Sequence, residues 1–493
     1  MVVGEPEEVA DRAAAVQAAL AAHPAVRRVR VVPGAPGLVA YIEPAPDRLP
    51  SGEEAAGHLA QWRSLWTDIY TRSTAEGDPS LNLAGWVSSY TGRPIAEREM
   101  REWIDRTVER ILALFPRRLL EIGCGMGLLL GRIAPTCEEY WGVDFSAEAL
   151  AYVERTLVGK GLPVTLRRQM ADDLTGLPRG HFDTIVLNSV VQYFPDLGYL
   201  RRVLAGLVTL AAPGARIFLG DLRSLPHLAT FHASVLLQQA DGATPLAELR
   251  ERLAAQVRRE RELVIDPAFF TALAGSAPGV AAVEVQLKRG RARNELTRFR
   301  YDAILTLEGG PPPAAPPERW LDWTAEGLSV PTLRRRLAGL PAETAEKHSL
   351  GIQGIPNVRL AAEVEAEALL ADEGSGLATV ADLQAALASR RPPGVEPEEL
   401  WGLSRDLPYR VEVRWGARPG TFDAVLRPID SEETPAAPVA KSAVDPTVPA
   451  VYANSPIQER RGEELSAELQ RFLAERLPGA PIPVSFVLVD GSS

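Results

Sequence analysis

The chain has 493 residues, of which 46% are hydrophobic and 24% are charged. This composition excludes a wholly disordered protein and, at about 150 residues a domain, predicts about three compact units. Lys and Arg number 53 against 64 Asp and Glu, and the net charge of −11 argues against nucleic acid as the main partner. Two cysteines exclude a disulfide framework or a cysteine zinc cluster, and the six histidines show no metal-ligand spacing. No apolar run reaches the roughly 18 residues of a membrane helix and no N-terminal signal is present, so we expect a cytoplasmic protein.

Two Pro-rich stretches, 309–317 and 431–449, divide the sequence, because proline lacks the N–H that helices and sheets need. Between head and tail, apolar runs bounded by turn residues predict strands at 119–124, 140–145, 164–170, 182–189, 215–222, 280–290 and 298–307. Helix-like segments between the first five runs predict a parallel sheet. The last two runs are joined by RARNELT, which is too short for a crossover, so they are expected to pair antiparallel.

This strand inventory resembles that of class I methyltransferases, which use S-adenosylmethionine (SAM). The resemblance implies an α/β fold with a seven-stranded, mostly parallel sheet whose last strand is antiparallel.

The segment EIGCGMG follows the first strand and precedes a helix-like segment. Its glycines Gly123, Gly125 and Gly127 let the backbone turn tightly and approach a ligand closely. Asp144 ends the second strand, where a carboxylate can accept hydrogen bonds from two ribose hydroxyls, and Phe145 follows it. The pattern predicts a cofactor site but also fits a dinucleotide, and such glycines occur at strand–helix turns without any ligand.

Further details favour SAM through the same resemblance. Glu121 lies inside the first strand, at a position where methyltransferases typically have an acidic residue that holds the region near the cofactor's amino end. Asp172 and Asp173 follow the third strand, where such enzymes place an acidic residue against the adenine amino group. Capping of a helix N-terminus is the alternative for both. Asn188 ends the fourth strand at the expected mouth of the site, and the antiparallel last pair is not expected of an NAD enzyme.

A more specific resemblance rests on segments that occur in the order GWVSSYTGRPIAEREMREWIDRTVERI, EIGCGMG, LNSVVQYFP, GDLRSL, KRGRARNELTRFRYD and LGIQGIPNVRL. Together they resemble the methyltransferase domains embedded in adenylation domains of nonribosomal peptide synthetases. The head VQAALAAHPAVRRVRVVPGAPGLVAYIEP is similar to the small C-terminal subdomain of an adenylation domain, and the tail LQRFLAERLPGAPIPVSFVLVDG is similar to its continuation.

The resemblance implies a split adenylation-type subdomain at 1–50 and 450–493, a methyltransferase core with an N-terminal lid at 55–308, and a small α+β accessory unit at 318–430. The large adenylation subdomain, the lysine after the ninth core motif and a carrier-protein serine motif are not recognised. We therefore expect no amino-acid activation by this chain alone, which is either an excised piece of a synthetase or a free-standing methyltransferase.

Methyl transfer to an amine requires alignment of nitrogen, carbon and sulfur and a neutral amine, so no dedicated triad is expected. Gln192 and Tyr193, just past the fourth strand, are candidates to orient the amine or a thioester carbonyl, with sheet capping as the alternative. Asp221 and Arg223 end the fifth strand and are candidates to attract the amine, with a structural Asp221–Arg223 pair as the alternative. His227 is a candidate proton acceptor, or else a solvated surface histidine.

Tyr90, in SSYTG, is a candidate lid over the cofactor, with a structural turn as the alternative. The basic run from Lys288 to Arg300 contains Glu295 as its one counter-charge, which predicts a solvated hairpin or a surface for phosphopantetheine or an acidic carrier. Segment 229–266 predicts helices, which the resemblance implies cover the substrate, and 409–428 predicts a hairpin.

The resemblance implies SAM-dependent N-methylation of the backbone amine of an aminoacyl or peptidyl group that a carrier protein holds as a phosphopantetheine thioester. Neighbouring synthetase domains are the other expected partners. The alternatives are O- or C-methylation of a related tethered or free substrate, and an inactive scaffold module. The intact glycines and Asp144 argue against the scaffold.

Overall fold

A computed structural model describes residues 6–33, 38–45, 52–73, 78, 80–158, 161–310, 316–339, 349–390, 394–429, 452–477 and 485–488. The Pro-rich stretch 431–449 and residues 311–315 of the first stretch lie outside this set. The chain divides into two compact units, which fall within Met1–Gln61, Arg258–Arg261 and Ser455–Ser493 for the first and Trp62–Val257 and Glu262–Asn454 for the second. Within the described residues, no helix is both long enough and apolar enough to cross a membrane.

The strands, in chain order, are β1 (Val26–Pro33), β2 (Leu38–Pro44), β3 (Arg118–Ile122), β4 (Glu139–Asp144), β5 (Val164–Arg168), β6 (Phe182–Asn188), β7 (Ala211–Arg223), β8 (Val280–Leu287), β9 (Arg300–Leu307), β10 (Arg319–Asp322), β11 (Leu350–Pro356), β12 (Tyr409–Trp415), β13 (Thr421–Pro428) and β14 (Ser485–Leu488).

The α-helices, in chain order, are α1 (Pro6–Ala21), α2 (Gly52–Arg72), α3 (Glu97–Leu112), α4 (Leu130–Ile133), α5 (Ala147–Thr156), α6 (Leu197–Leu210), α7 (Leu228–Gln239), α8 (Leu246–Arg258), α9 (Pro267–Leu273), α10 (Glu295–Phe299), α11 (Val330–Ala338), α12 (Ala361–Ala371), α13 (Val380–Arg390), α14 (Pro397–Trp401) and α15 (Pro456–Arg476).

The first unit joins segments from the head and the tail of the chain in one sheet of order β1-β2-β14. β1 pairs antiparallel with β2, and β14 pairs parallel with β2. Val16 and Leu20 of α1 are buried in the same core as Leu469 and Leu473 of α15. Apolar residues three or four positions apart give each helix one buried face, which covers the sheet.

The second unit is built on a seven-stranded sheet of order β5-β4-β3-β6-β7-β9-β8. β9 is antiparallel to both β7 and β8, and the other pairings are parallel. The predicted fold class and the predicted antiparallel pair are thus confirmed. The chain leaves β3 for β4 on one side and returns to β6 on the other, so a crevice opens between the segments that follow β3 and β6, where open α/β sheets bind ligands.

One predicted crossover helix is absent. Residues 169–181, all of them described, join β5 to β6 through turns only. Gly176 and Gly180 adopt positive φ angles of 75° and 62°, and Pro178 lies between them. Glycine in this conformation and proline both interrupt a helix, so the expectation of a helix at this crossover is wrong.

A four-stranded sheet of order β10-β11-β13-β12 also belongs to the second unit. The predicted hairpin is confirmed, because β12 and β13 pair antiparallel with Trp415 opposite Phe422. The core of this sheet includes Trp401 of α14 and Leu287 from the end of β8. The smaller sheet therefore shares apolar packing with the edge of the larger one.

Candidate functional site

The glycine segment forms a tight loop directly after β3. Gly123 and Gly127 have φ angles of 77° and 79°, which favour glycine. A Cβ at Gly123 would lie 2.4 Å from the Val190 side chain, and one at Gly127 would lie 2.7 Å from Leu157. Close packing against Val190 and Leu157 therefore requires glycine at both positions.

Asp144 ties this loop to the end of β4. Its carboxylate is buried and accepts hydrogen bonds from Gly125 N and Ser146 N, each at 2.9 Å. Burial raises the pKa of Asp144 to about 6, although the two backbone bonds oppose the shift. Each carboxylate oxygen keeps a further lone pair, so the group can still accept the two hydroxyls of a ribose. Loop and carboxylate therefore fit a nucleoside cofactor.

Glu121 lies beside this loop but already has a partner inside the sheet. It is buried and accepts a hydrogen bond from the Tyr140 hydroxyl at 2.5 Å. Burial raises the pKa of Glu121 to about 7, with Asp144 adding to the shift. Its placement near the cofactor's amino end stays a prediction.

The other predicted adenosine-side residues are more open. Asp172 and Asp173 are exposed, and Asp173 accepts a hydrogen bond from Thr175 N at 3.1 Å. Because this closes a turn rather than a helix, the helix-capping alternative is wrong. Phe145 is half-buried next to Asp144.

An aromatic row on α2 lies over the glycine loop. Trp62 and Trp66 contact Tyr193 with ring centroids 4.6 and 5.7 Å apart, and Trp66 contacts Tyr70 at 5.4 Å. The Tyr70 hydroxyl lies 3.1 Å from the point where a Cβ of Gly125 would stand. The sequence analysis missed this row, although Trp62, Trp66 and Tyr70 recur every fourth residue, the spacing of one helix face.

The segment after β6 supplies buried amides and the Tyr193 ring. Gln192 is 2% exposed, and its backbone carbonyl accepts a hydrogen bond from Leu263 N at 2.8 Å. The side-chain oxygens of Gln192 and Asn188 are buried without a hydrogen-bond partner among the described residues. Buried polar atoms are normally satisfied, so these two oxygens are acceptors that the described residues leave unused.

Asp221 proves to be an internal anchor. It is fully buried with a φ of 64°, and its carboxylate accepts hydrogen bonds from Trp103 Nε1 at 3.1 Å and Ser189 Oγ at 2.9 Å. It also forms an ion pair with Arg300. The structural alternative that paired it with Arg223 is wrong, because the antiparallel strand β9 brings Arg300 to it instead. A carboxylate held in this way is not free to attract an amine.

Arg223 pairs with Glu262, a residue that the sequence analysis missed, with its nitrogen 2.9 Å from the carboxylate. Burial, followed by the nearby Glu262 carboxylate, raises the pKa of Tyr193. Burial would lower the pKa of the Arg300 guanidinium, but the Asp221 and Glu262 carboxylates raise it overall. Tyr193, Glu262 and Arg300 therefore form one cluster next to the aromatic row of α2.

His227 is not a solvated histidine, because it is 5% exposed and stacks on Trp415 with centroids 4.4 Å apart. Burial lowers the pKa of His227 to about 4, and its Nδ1 lies 2.9 Å from Ser224 Oγ. The ring is therefore neutral and a weak base at pH 7. Tyr90 contacts α7, where its hydroxyl lies 2.8 Å from Ser234 Oγ, and this contact does not bring it to the glycine loop.

The basic run is not a solvated hairpin either. Four of its cations form ion pairs with acids that lie outside the run, namely Lys288 with Asp302, Arg289 with Glu398, Arg298 with Glu363 and Arg300 with Asp221. The counter-charge inside the run is therefore not the one that decides its environment, because Asp302 follows the run on β9 and the fold brings Glu398, Glu363 and Asp221 from distant segments.

A family model described as a methyltransferase domain matches residues 120–217, which include the glycine loop, Asp144 and Tyr193. The chain is 43% identical over 457 residues to chondramide synthase of Chondromyces crocatus, covering 91% of this chain and 12% of the relative. It is 35% identical over 482 residues to a probable non-canonical nonribosomal peptide synthetase of Salinispora arenicola, covering 96% of this chain and 5% of the relative.

A third relative, a nonribosomal peptide synthetase of Emericella nidulans, is 31% identical over 448 residues, covering 86% of this chain and 17% of the relative. The chain thus spans a small part of the length of these relatives. It contains a SAM-dependent methyltransferase domain, within a sequence that is homologous over most of its length to nonribosomal peptide synthetases.

Proposed function

We propose that this methyltransferase methylates the backbone amine of an aminoacyl or peptidyl group that a carrier protein holds as a phosphopantetheine thioester. The observation that carries the proposal is the lack of an available strong base among the described groups around Tyr193 and just after β7. Asp221 and Glu262 are ion-paired, and burial raises the pKa of Tyr193. His227 is a weak base, with a pKa lowered to about 4 by burial.

This set of groups favours nitrogen over oxygen or carbon as the acceptor. An α-amine has an ordinary pKa of about 7.7–8.0, so a substantial neutral fraction exists near neutral pH without any enzymatic base. A hydroxyl or a carbon acid would have to lose its proton to a strong base during transfer. A site with paired carboxylates and a weakly basic histidine suits the amine.

The cofactor side follows from the loop and Asp144. We place the ribose of SAM on the Asp144 carboxylate and one face of the cofactor against the backbone of Gly123–Gly127. Trp66 and Tyr70 of α2 would then cover the cofactor. When bound, SAM supplies an electrophilic methyl group on a sulfonium. The chain's own part is to hold the acceptor nitrogen in line, for which Tyr193 and Glu262 are the candidates, and to exclude water with the aromatic row.

Tethering is supported by the relatives, whose names identify them as peptide synthetases. The shared sheet of head and tail supports the proposal that the first unit is a split adenylation-type subdomain, which would place neighbouring synthetase domains beside this chain. A cytoplasmic location belongs to the same proposal and agrees with the buried free thiols of Cys124 and Cys137.

The test compares matched thioesters loaded on a carrier protein, one aminoacyl and the other its α-hydroxyacyl analogue, incubated with the full chain and SAM. The proposal predicts that only the aminoacyl carrier gains the mass of one methyl group. Methylation of the hydroxyacyl carrier would support the O-methylation alternative instead. A chain that shows no SAM binding by calorimetry would support the inactive scaffold.

A further inference from the structure

The loop between β8 and β9, residues 288–299, links the accessory unit to the acceptor side of the site. Lys288 at its start is buried, and its Nζ donates to Asp302 Oδ1 at 3.0 Å and lies 3.9 Å from Asp221 Oδ1. Arg300, directly after the loop, forms the ion pair with Asp221. Cations at both ends of one loop thus hold the Asp221 carboxylate, which also accepts the hydrogen bond from Ser189 Oγ.

The accessory unit holds the first end of this loop through α14 and the segment before α12. Glu398 accepts two hydrogen bonds from the Arg289 guanidinium, at 2.8 and 2.9 Å, and a third from Gly290 N at 2.8 Å. Arg359 is 2% exposed and donates to Lys288 O at 2.7 Å. Burial would raise the pKa of Glu398, but the bonds from Arg289 and Gly290 hold it below its usual range. The carboxylate is therefore charged and firmly held.

The accessory unit holds the second end through α12. Glu363 forms an ion pair with Arg298 at 2.9 Å, two residues before Arg300. Both partners are mostly buried, with side chains 16% and 19% exposed, so water and salt screen the attraction between the two charges less than in an exposed pair. Lys288 and Arg300, the two cations that reach Asp221, thus each lie within two residues of an arginine that the accessory unit holds by an ion pair.

We propose that Glu398 and Glu363 are positioning residues, through which the accessory unit sets the geometry of Asp221 and hence of the acceptor side of the site. Asp221 and Ser189 both adopt positive φ angles, of 64° and 57°, and their side chains share a hydrogen bond. Such conformations are costly for residues other than glycine and persist only where surrounding contacts enforce them. The two clamped cations supply part of that enforcement.

The inference rests on the proposed function only in placing the acceptor amine beside Tyr193, Glu262 and Arg300. Trp103 offers a probe that needs no acceptor, because its indole Nε1 donates to Asp221 and Lys288 lies over its ring at 5.4 Å. We would label the full chain with 5-fluorotryptophan and assign the Trp103 signal in the fluorine NMR spectrum with W103F.

The variants come in matched pairs on the same helices. Glu398→Gln removes the anchor charge, and Glu399→Gln removes the neighbouring exposed charge. Glu363→Gln acts in the same way on α12, and its control is Glu365→Gln, whose partner is Arg390. If Glu398→Gln fails to fold because Arg289 is left unpaired, the more exposed Glu363 still tests the inference.

The anchor variants should shift or broaden the Trp103 signal and lower kcat/KM for the aminoacyl carrier about tenfold, whereas the Kd for SAM stays within about twofold and the control variants match the wild type. An unchanged Trp103 signal in both anchor variants would overturn the inference. So would a parallel loss of SAM affinity, which a merely structural role predicts. If no amine is methylated by any variant, the proposed function fails, and the Trp103 signal still decides this inference.

Discussion

Replacement of Asp144 by asparagine tests the cofactor side in the most quantitative way. The carboxylate holds Gly125 N and Ser146 N at 2.9 Å each. An asparagine offers one acceptor oxygen, so its NH₂ group would face one of these two N–H groups. The variant loses the charge that favours ribose hydroxyls and also loosens the glycine loop.

A hydrogen bond to a charged group contributes about 1.5–3 kcal/mol, so the loss of one such bond to the ribose raises the Kd for SAM about 10- to 150-fold. Isothermal titration calorimetry measures this directly. The control is Glu154→Gln on the exposed face of α5, which removes one negative charge from the same unit and should leave the Kd unchanged. Equal SAM affinity in Asp144→Asn and the wild type would refute the placement of the ribose.

The wild-type Kd for SAM should rise as the pH falls through about 6, because burial raises the pKa of Asp144 to about 6 and its protonated form is a poorer acceptor. Asp144 also makes the stability of the protein depend on pH. Its folded-state pKa is raised because ionisation of the buried carboxyl costs free energy. Its contribution to the free energy of unfolding is therefore most favourable at low pH and is lost as the pH rises through about 6. On the acceptor side, Tyr193→Phe should lower kcat about tenfold if its hydroxyl orients the substrate. Glu262→Gln should lower kcat about 10²-fold, because the amine loses the carboxylate that holds it in line, and both effects are measured as methyl transfer to the aminoacyl carrier. In the first unit, Leu469→Ala empties a fully buried position and should destabilise that unit by about 2–5 kcal/mol, seen as faster amide exchange in β2.

Each of these expectations has a control or an outcome that would contradict it. The pH dependence of SAM binding should vanish in Asp144→Asn, and if it persists, buried Glu121, whose pKa is about 7, is the group that titrates. Normal turnover in both Tyr193→Phe and Glu262→Gln would place the acceptor elsewhere. Exchange in β2 that is the same in Leu469→Ala and in the exposed Glu475→Ala would show that α15 does not stabilise the sheet.

The fold was predictable because its signals are local or set by chain connectivity. Strand runs bounded by turn residues, the glycines after β3 and the short β8–β9 connection each restrict the topology without knowledge of distant contacts. The helix wrongly expected between β5 and β6 shows the limit of this approach. Gly176, Pro178 and Gly180 are visible in the sequence, and they outweigh the alternation from which the helix was inferred.

The acceptor side was less predictable, because partners far apart in the sequence determine the role of each charge. From the sequence Asp221 is a free carboxylate at a strand end, yet Arg300 at the start of β9 and Lys288 just after β8 both reach it. The sequence allows His227 to be a solvated surface histidine, but in the structure Trp415 of the β12–β13 hairpin stacks on its ring. The aromatic row of α2 had a local signal in its four-residue spacing, but only the structure shows that it faces the glycine loop.

The most direct test of the central claim is mass spectrometry of a carrier protein loaded with an aminoacyl thioester and incubated with the full chain and SAM that carries a deuterated methyl group. Fragmentation of the released aminoacyl group locates the label. We predict one labelled methyl on the α-nitrogen, at a rate that rises with pH until the amine is neutral and then levels off. A label on oxygen or carbon, or no label despite measurable SAM binding, would contradict the proposed function.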